Sequence, residues 1–178
     1  MRHDIFTTPF WHIEGAPQEL FERYHFWIVD ELYQGAYKFK ERYPSENKSN
    51  QEGYQSPSFS WKEFHPEGIK YIEKILNDIL GKFEVTGWWC NINPKGAWNK
   101  PHTHPNSDFA LVLYLTDSNG LLQLMSPFSQ RKLRSSSHVG INANRGDILI
   151  FPSDINHYVK PNNKEEDRVS ISMNLQLC

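Results

Sequence analysis

The chain has 178 residues, a formal net charge of −2 and 14% aromatic residues. That length suits about one domain, able to bury a core without staples, and the near-neutral charge lacks the basic footprint that nucleic acid or an anionic membrane surface would need. Two cysteines are too few for a secreted disulfide framework, no apolar leader opens MRHDIFTTPFW, and the longest clean apolar run, Phe109 to Leu115, is too short to span a bilayer, so a soluble, cytoplasmic, single domain is expected over 1–178.

In chain order, residues 5–15 (IFTTPFWHIEG) read as an extended lead-in strand. Between Pro17 and Pro44 apolar residues recur at helical spacing, with Leu20, Tyr24, Ile28 and Leu32 on one stripe. Residues 45–60 (SENKSNQEGYQSPSFS) form a polar loop without periodicity. A second helix is predicted over 65–82 (HPEGIKYIEKILNDILGK), started by Pro66 and stopped by Gly81, with Ile69, Ile72, Ile75, Leu76 and Ile79 facing a sheet. The segment 1–82 is thus a lead-in of strand and helices.

From Phe83 onward the sequence breaks into about eight short runs split by Gly, Pro, Asn or Asp: FEVTGWWCNIN, HTHP, DFALVLYLT, GLLQLMS, SSHVGIN, GDILIFP, NHYVKP and DRVSISMNL. That spacing predicts a mainly β jelly-roll or barrel core over 83–178, with the two N-terminal helices packed on one side. The loose basic stretch SQRKLRSSS at 129–137 reads as a solvated loop, and the KEED run at 164–167 as a hairpin tip.

Chemistry concentrates in the β half. His102 and His104 lie two apart, and a strand would point both to one face, close enough to grip a single ion. About fifty residues on, a Gly-Asp turn leads through ILIFP to His157, which opens the next strand and can complete a facial set with open positions left on the metal. In RVSISMN, alternation puts Arg168, Ser170, Ser172 and Asn174 on one face and Val169, Ile171, Met173 and Leu175 on the other. A polar stripe there implies a hydrated, ligand-filled lumen, and Arg168 with Ser170 would clamp a carboxylate.

The order HxH, GDxxxFP, distal His, RxS resembles the Fe(II)/2-oxoglutarate-dependent dioxygenases, on the double-stranded β-helix. More narrowly it is similar to their branch with an IF.TP.W lead-in and an HxHP motif. The resemblance implies Fe(II) and 2-oxoglutarate as cofactors, and oxidative decarboxylation of 2-oxoglutarate coupled to hydroxylation of an unidentified small-molecule or protein substrate. It implies His102 and His157 as two metal ligands and Arg168, assisted by Ser170, on the distal carboxylate of 2-oxoglutarate. The superfamily places a carboxylate where this chain has His104. Either His104 completes a three-histidine site or Asp108 replaces it; the i+2 position favours His104. Asn93, with Asn91 on the same strand face, and Tyr114 are further candidates for 2-oxoglutarate contacts. Trp88, Trp89 and Trp98 suit sheet packing or a substrate mouth. Two other readings stay open: a cupin-like three-histidine metalloenzyme that does not use 2-oxoglutarate, and a non-catalytic jelly-roll binding module.

Overall fold

The computed structural model describes residues 8–15, 19–46, 48–59, 66–119, 121–127 and 137–178. The stretch 129–136 of the basic loop lies outside them. Two helices and eleven strands are formed: β1 (Trp11–Ile13), α1 (Glu19–Arg42), β2 (Asn50–Gln51), β3 (Tyr54–Gln55), α2 (Pro66–Leu80), β4 (Phe83–Asn93), β5 (Trp98–His102), β6 (Phe109–Tyr114), β7 (Leu122–Met125), β8 (His138–Ile141), β9 (Ile148–Pro152), β10 (His157–Val159) and β11 (Arg168–Leu177). All pairings are antiparallel, in a major sheet ordered β1-β9-β6-β11-β4-β3 and a minor sheet ordered β2-β5-β10-β7-β8. The result is a jelly roll with helices on one face. Beyond the expected lead-in strand and the eight runs, the polar 45–60 loop contributes two short strands of its own.

The helices form where periodicity and end signals agree. In α2, Pro66 needs no donor in the first turn, Glu67 faces the positive end, and Gly81 at φ 76° closes the helix with its N–H on the Asn77 carbonyl, 3.1 Å away. Ile72 and Leu76 are fully buried and Ile75 and Ile79 partly so; each fully buried aliphatic side chain contributes about 1.5–3 kcal/mol. On α1 the buried face runs His25, Ile28, Val29, Leu32 and Ala36. Tyr24 is instead exposed at the edge of that stripe, its hydroxyl donating to the Glu67 carboxylate (2.9 Å).

The major sheet is two-sided, and alternation along each strand assigns the sides. Val169, Ile171, Met173 and Leu175 of β11 join Trp88, Cys90 and Ile92 of β4, Leu111 and Leu113 of β6, and Ile148 and Ile150 of β9 beneath the helices. The opposite residues look into the sandwich, where Ala110, Tyr114, Leu149 and Phe151 meet Leu122 and Ile155. The stripe Arg168, Ser170, Ser172 is therefore walled in between the sheets: all three are buried.

Candidate metal centre and its chamber

His157 opens β10 and pairs in register with His102, the last residue of β5. Two residues further along β10, Val159 pairs with Asn99, three residues back on β5, so β5 carries one extra residue between them. This bulge falls at Lys100-Pro101, where proline's missing donor costs no ladder bond. It lets Asn99 and His102 share the inner face despite an odd spacing. His104 lies beyond the end of β5, in the crossover to the major sheet, where its N–H reaches the Ser153 carbonyl (2.9 Å). The two histidines therefore converge across a strand end and a crossover, not along one regular strand as alternation implied.

The three imidazoles can each offer one nitrogen to a common point, all within 4.8 Å of one another. Their tautomers follow from what holds the other nitrogen. His102 Nδ1 faces the Lys100 carbonyl (2.8 Å), His157 Nδ1 the Ile155 carbonyl (2.9 Å), and His104 Nδ1 the Asn174 amide oxygen (2.7 Å). An oxygen of this kind only accepts, so each Nδ1 carries the proton and each Nε2 is left with its lone pair. Burial lowers all three pKa values, to about 4 for His104 and about 3 for His157, and the rings are neutral at pH 7. His104 Nε2 and His157 Nε2 sit 3.2 Å apart; two lone pairs that close call for a cation between them. Three neutral imidazoles with an open side fit a divalent first-row metal.

Deeper in the sandwich the chamber ends at Arg168. Arg168 is 5% exposed, its Nη2 lies 3.4 Å from the Asn99 amide oxygen, and its Nη1 has no hydrogen-bond partner among the described residues. Burial pushes its pKa down to about 10, a value that still leaves it charged, while Tyr114 beside it is raised to about 12 by burial. Asn91 donates to Ser172 (3.3 Å), and its buried amide oxygen has no partner among the described residues. Orphaned buried polar atoms are rare and costly, so Arg168 Nη1 and Asn91 Oδ1 mark a space built for a polar guest.

Residues 87–174 match the protein family described as "Putative 2OG-Fe(II) oxygenase". They belong to that family. No curated protein sequence matches the chain. Among solved structures, HygX from Streptomyces hygroscopicus with nickel and 2-oxoglutarate bound superposes with a TM-score of 0.68 at 11% identity, over 96% of this chain and 84% of its own. A Pseudomonas putida prolyl-4-hydroxylase gives 0.65 at 15% identity, over 97% and 94%. A Trichoplax adhaerens prolyl hydroxylase in complex with a hypoxia inducible factor peptide fragment gives 0.62 at 18% identity, over 94% and 83%. At such identities the likeness is one of fold.

Around the histidine cluster two spaces meet. The inner chamber runs from the histidines to Arg168 past Asn91, Asn99, Tyr114, Ser170 and Ser172. An outer cleft of about 370 Å³ opens on the other side, lined by His102, His104, Trp89, Lys48, Lys100 and Asn174 among others. Trp89 borders both and stacks on His104 with ring centroids 5.4 Å apart, whereas Trp88 is core.

Two expected oxygenase residues stand elsewhere. Asp108 is not in the cluster: its carboxylate accepts from the Leu177 N–H (2.7 Å), tying the end of β11. Asn93 sits one layer behind the chamber wall, its amide spent on Asn50 (2.9 Å) and Asn99 (3.2 Å). Asn91 and Asn99 face the space instead. Asn99 escaped sequence reading because only the bulge turns it inward. Asn174, on the polar stripe but without a role assigned from sequence, proves to be the partner of His104.

Proposed function

We propose that the chain is an Fe(II)- and 2-oxoglutarate-dependent oxygenase, converting 2-oxoglutarate and dioxygen to succinate and carbon dioxide while hydroxylating a substrate. The observation that carries this reading is the pairing of two features in one chamber: three bare Nε2 atoms at one end and an unpartnered guanidinium nitrogen at the other. Bound iron would supply the activation of dioxygen; the chain's own residues hold, orient and shield the reactants. His102, His104 and His157 would hold the metal. Arg168, with Ser170 and Tyr114 beside it, would take the far carboxylate of 2-oxoglutarate, since a guanidinium offers a bidentate fork. Asn93 contributes from behind by steadying Asn99, which meets Arg168. The outer cleft, bordered by Trp89, would admit the substrate, small molecule or peptide.

The whole chain acts as one domain on this reading, because the helices and the sheet share one core. It works in the cytoplasm: the cysteines are free, Cys90 being buried, and no helix among the described residues is long and apolar enough to cross a membrane.

Anaerobic protein given Fe(II) and 2-oxoglutarate should develop a weak visible charge-transfer band, and aeration should release succinate. Absence of both would sink the reading. The neutral histidine set favours one rival, a three-histidine metalloenzyme without 2-oxoglutarate. Unchanged 2-oxoglutarate affinity on replacing Arg168 and Ser170 would favour that rival.

A further inference from the structure

All three metal-facing imidazoles rest on neutral acceptors, two main-chain carbonyls and the side-chain amide of Asn174. None of the described residues lining the inner chamber carries a carboxylate, and the acid in the outer cleft, Glu46, is paired with Lys48 at 2.6 Å. Asp108 is turned to the Leu177 N–H and is not among the metal-facing groups. The charged group inside is Arg168, a second positive charge whose described contacts are neutral. A divalent metal entering this space therefore finds no compensating carboxylate among the described residues that line it, and interactions between charges in a buried, low-dielectric space are strong.

We propose that Asn174 is a positioning residue of the metal centre: its amide oxygen holds His104 as a neutral Nε2 ligand, so the countercharge for the metal must come from the dianionic co-substrate. Metal and 2-oxoglutarate are then retained as a pair, each binding weakly without the other. This rests on the proposed oxygenase reading. Three observations converge on it. The Asn174–His104 bond is the shortest of the three that hold the imidazoles. Asn174 sits on β11 opposite Gly87 and Ala110, so two sheet neighbours fix its backbone, and its side chain is free to serve the imidazole. An amide at this position supplies the same acceptor geometry that an aspartate would, without the charge; carboxylate and amide partners are interchangeable in shape but not in what they do to ligand basicity.

The test measures Ni(II) affinity of metal-free full-length protein, with and without saturating 2-oxoglutarate, for wild type, Asn174→Asp and Asn174→Leu. In wild type, 2-oxoglutarate should tighten Ni(II) by at least about tenfold, and Ni(II) should tighten 2-oxoglutarate by the same factor, as linkage requires. Asn174→Leu should weaken Ni(II) alone by about 10–100-fold, the usual loss when the outer partner of a ligating histidine is removed. Asn174→Asp should do the opposite, tightening Ni(II) alone and shrinking the 2-oxoglutarate-induced gain. A role in packing alone would leave that gain unchanged in Asn174→Asp, which keeps the side-chain shape and so decides the matter even if Asn174→Leu folds poorly. Unaltered coupling in Asn174→Asp, or wild-type metal affinity in folded Asn174→Leu, overturns the proposal. Failure of 2-oxoglutarate to bind at any Ni(II) loading overturns the oxygenase reading along with it, whereas binding with unaltered coupling in Asn174→Asp overturns the proposal alone.

Discussion

Arg168 carries an electrostatic cost: it is buried, and its hydrogen-bond partner among the described residues is the neutral Asn99 amide. Taking a charge out of water carries a penalty of several kcal/mol, which an apolar side chain of similar length does not incur. Arg168→Met should therefore raise the melting temperature of the metal-free protein. The same change should weaken 2-oxoglutarate binding to Ni(II)-loaded protein by about 2–5 kcal/mol, the range for truncating one partner of a buried charge pair. Ni(II) affinity without 2-oxoglutarate should not fall, a pattern that calorimetric titration reads directly. His157→Ala should instead abolish the Ni(II)-induced rise in melting temperature. These residues were legible in the sequence because each depends on a simple rule: a histidine at the start of a strand, a polar stripe at spacing two. Asn174 lay in the same stripe but gained its meaning only from the crossover that brings His104 to it, 70 residues away in sequence. Asn91 and Asn93 share a strand face, and nothing in their spacing says which reaches the chamber.

At the scale of elements, the Gly-Asp turn before β9 does more than start a strand. Asp147 accepts from the N–H groups of Asn144 (2.8 Å) and Gly15 (3.0 Å) and meets His12 Nε2 (2.8 Å), binding the lead-in to the sheet. Gly146, at φ 92°, offers its carbonyl to His25 Nε2 (2.8 Å), while the Tyr71 hydroxyl donates to His25 Nδ1, so one imidazole joins α1, α2 and this turn. A Cβ on Gly146 would meet His25 Nε2 at 2.6 Å in a backbone region hostile to side chains. Gly146→Ala should cost about 2–4 kcal/mol in urea unfolding. Burial lowers the His25 pKa below 6.5, against the opposing pull of the Gly146 bond and Asp147 and with a small push from Arg145. The unfolded chain then binds the extra proton as pH falls below 6.5, so this latch is complete above that pH and weakens under it. Melting temperature should drop less between about pH 7 and pH 5 in His25→Gln than in wild type. Helices and strand periodicity were readable here from apolar spacing; the β5 bulge was not, because a bulge is decided by its partner strand and has no pattern of its own.

For the whole molecule, ligand and fold stability are linked by mass action. Ni(II) with 2-oxoglutarate, at about 100 times the dissociation constant, should add about 2.7 kcal/mol of stability, and a chelator should reverse it. In a chain of this size that is a rise of about 2–4 °C per kcal/mol, measurable by differential scanning fluorimetry. The jelly-roll class could be read from many short strands after two helices, while the order of strands within each sheet could not, since antiparallel partners are chosen by long-range packing. That order has a consequence in time. β11 lies between β6 and β4, far earlier strands, and supplies Arg168, Ser170, Ser172 and the Asn174 that orients His104. The strand that orders the chamber is thus the last one made, and it enters the sheet between two strands formed well before it. His104 therefore gains the partner that fixes its ring only when residue 174 has joined the sheet, as the final step in assembling the chamber.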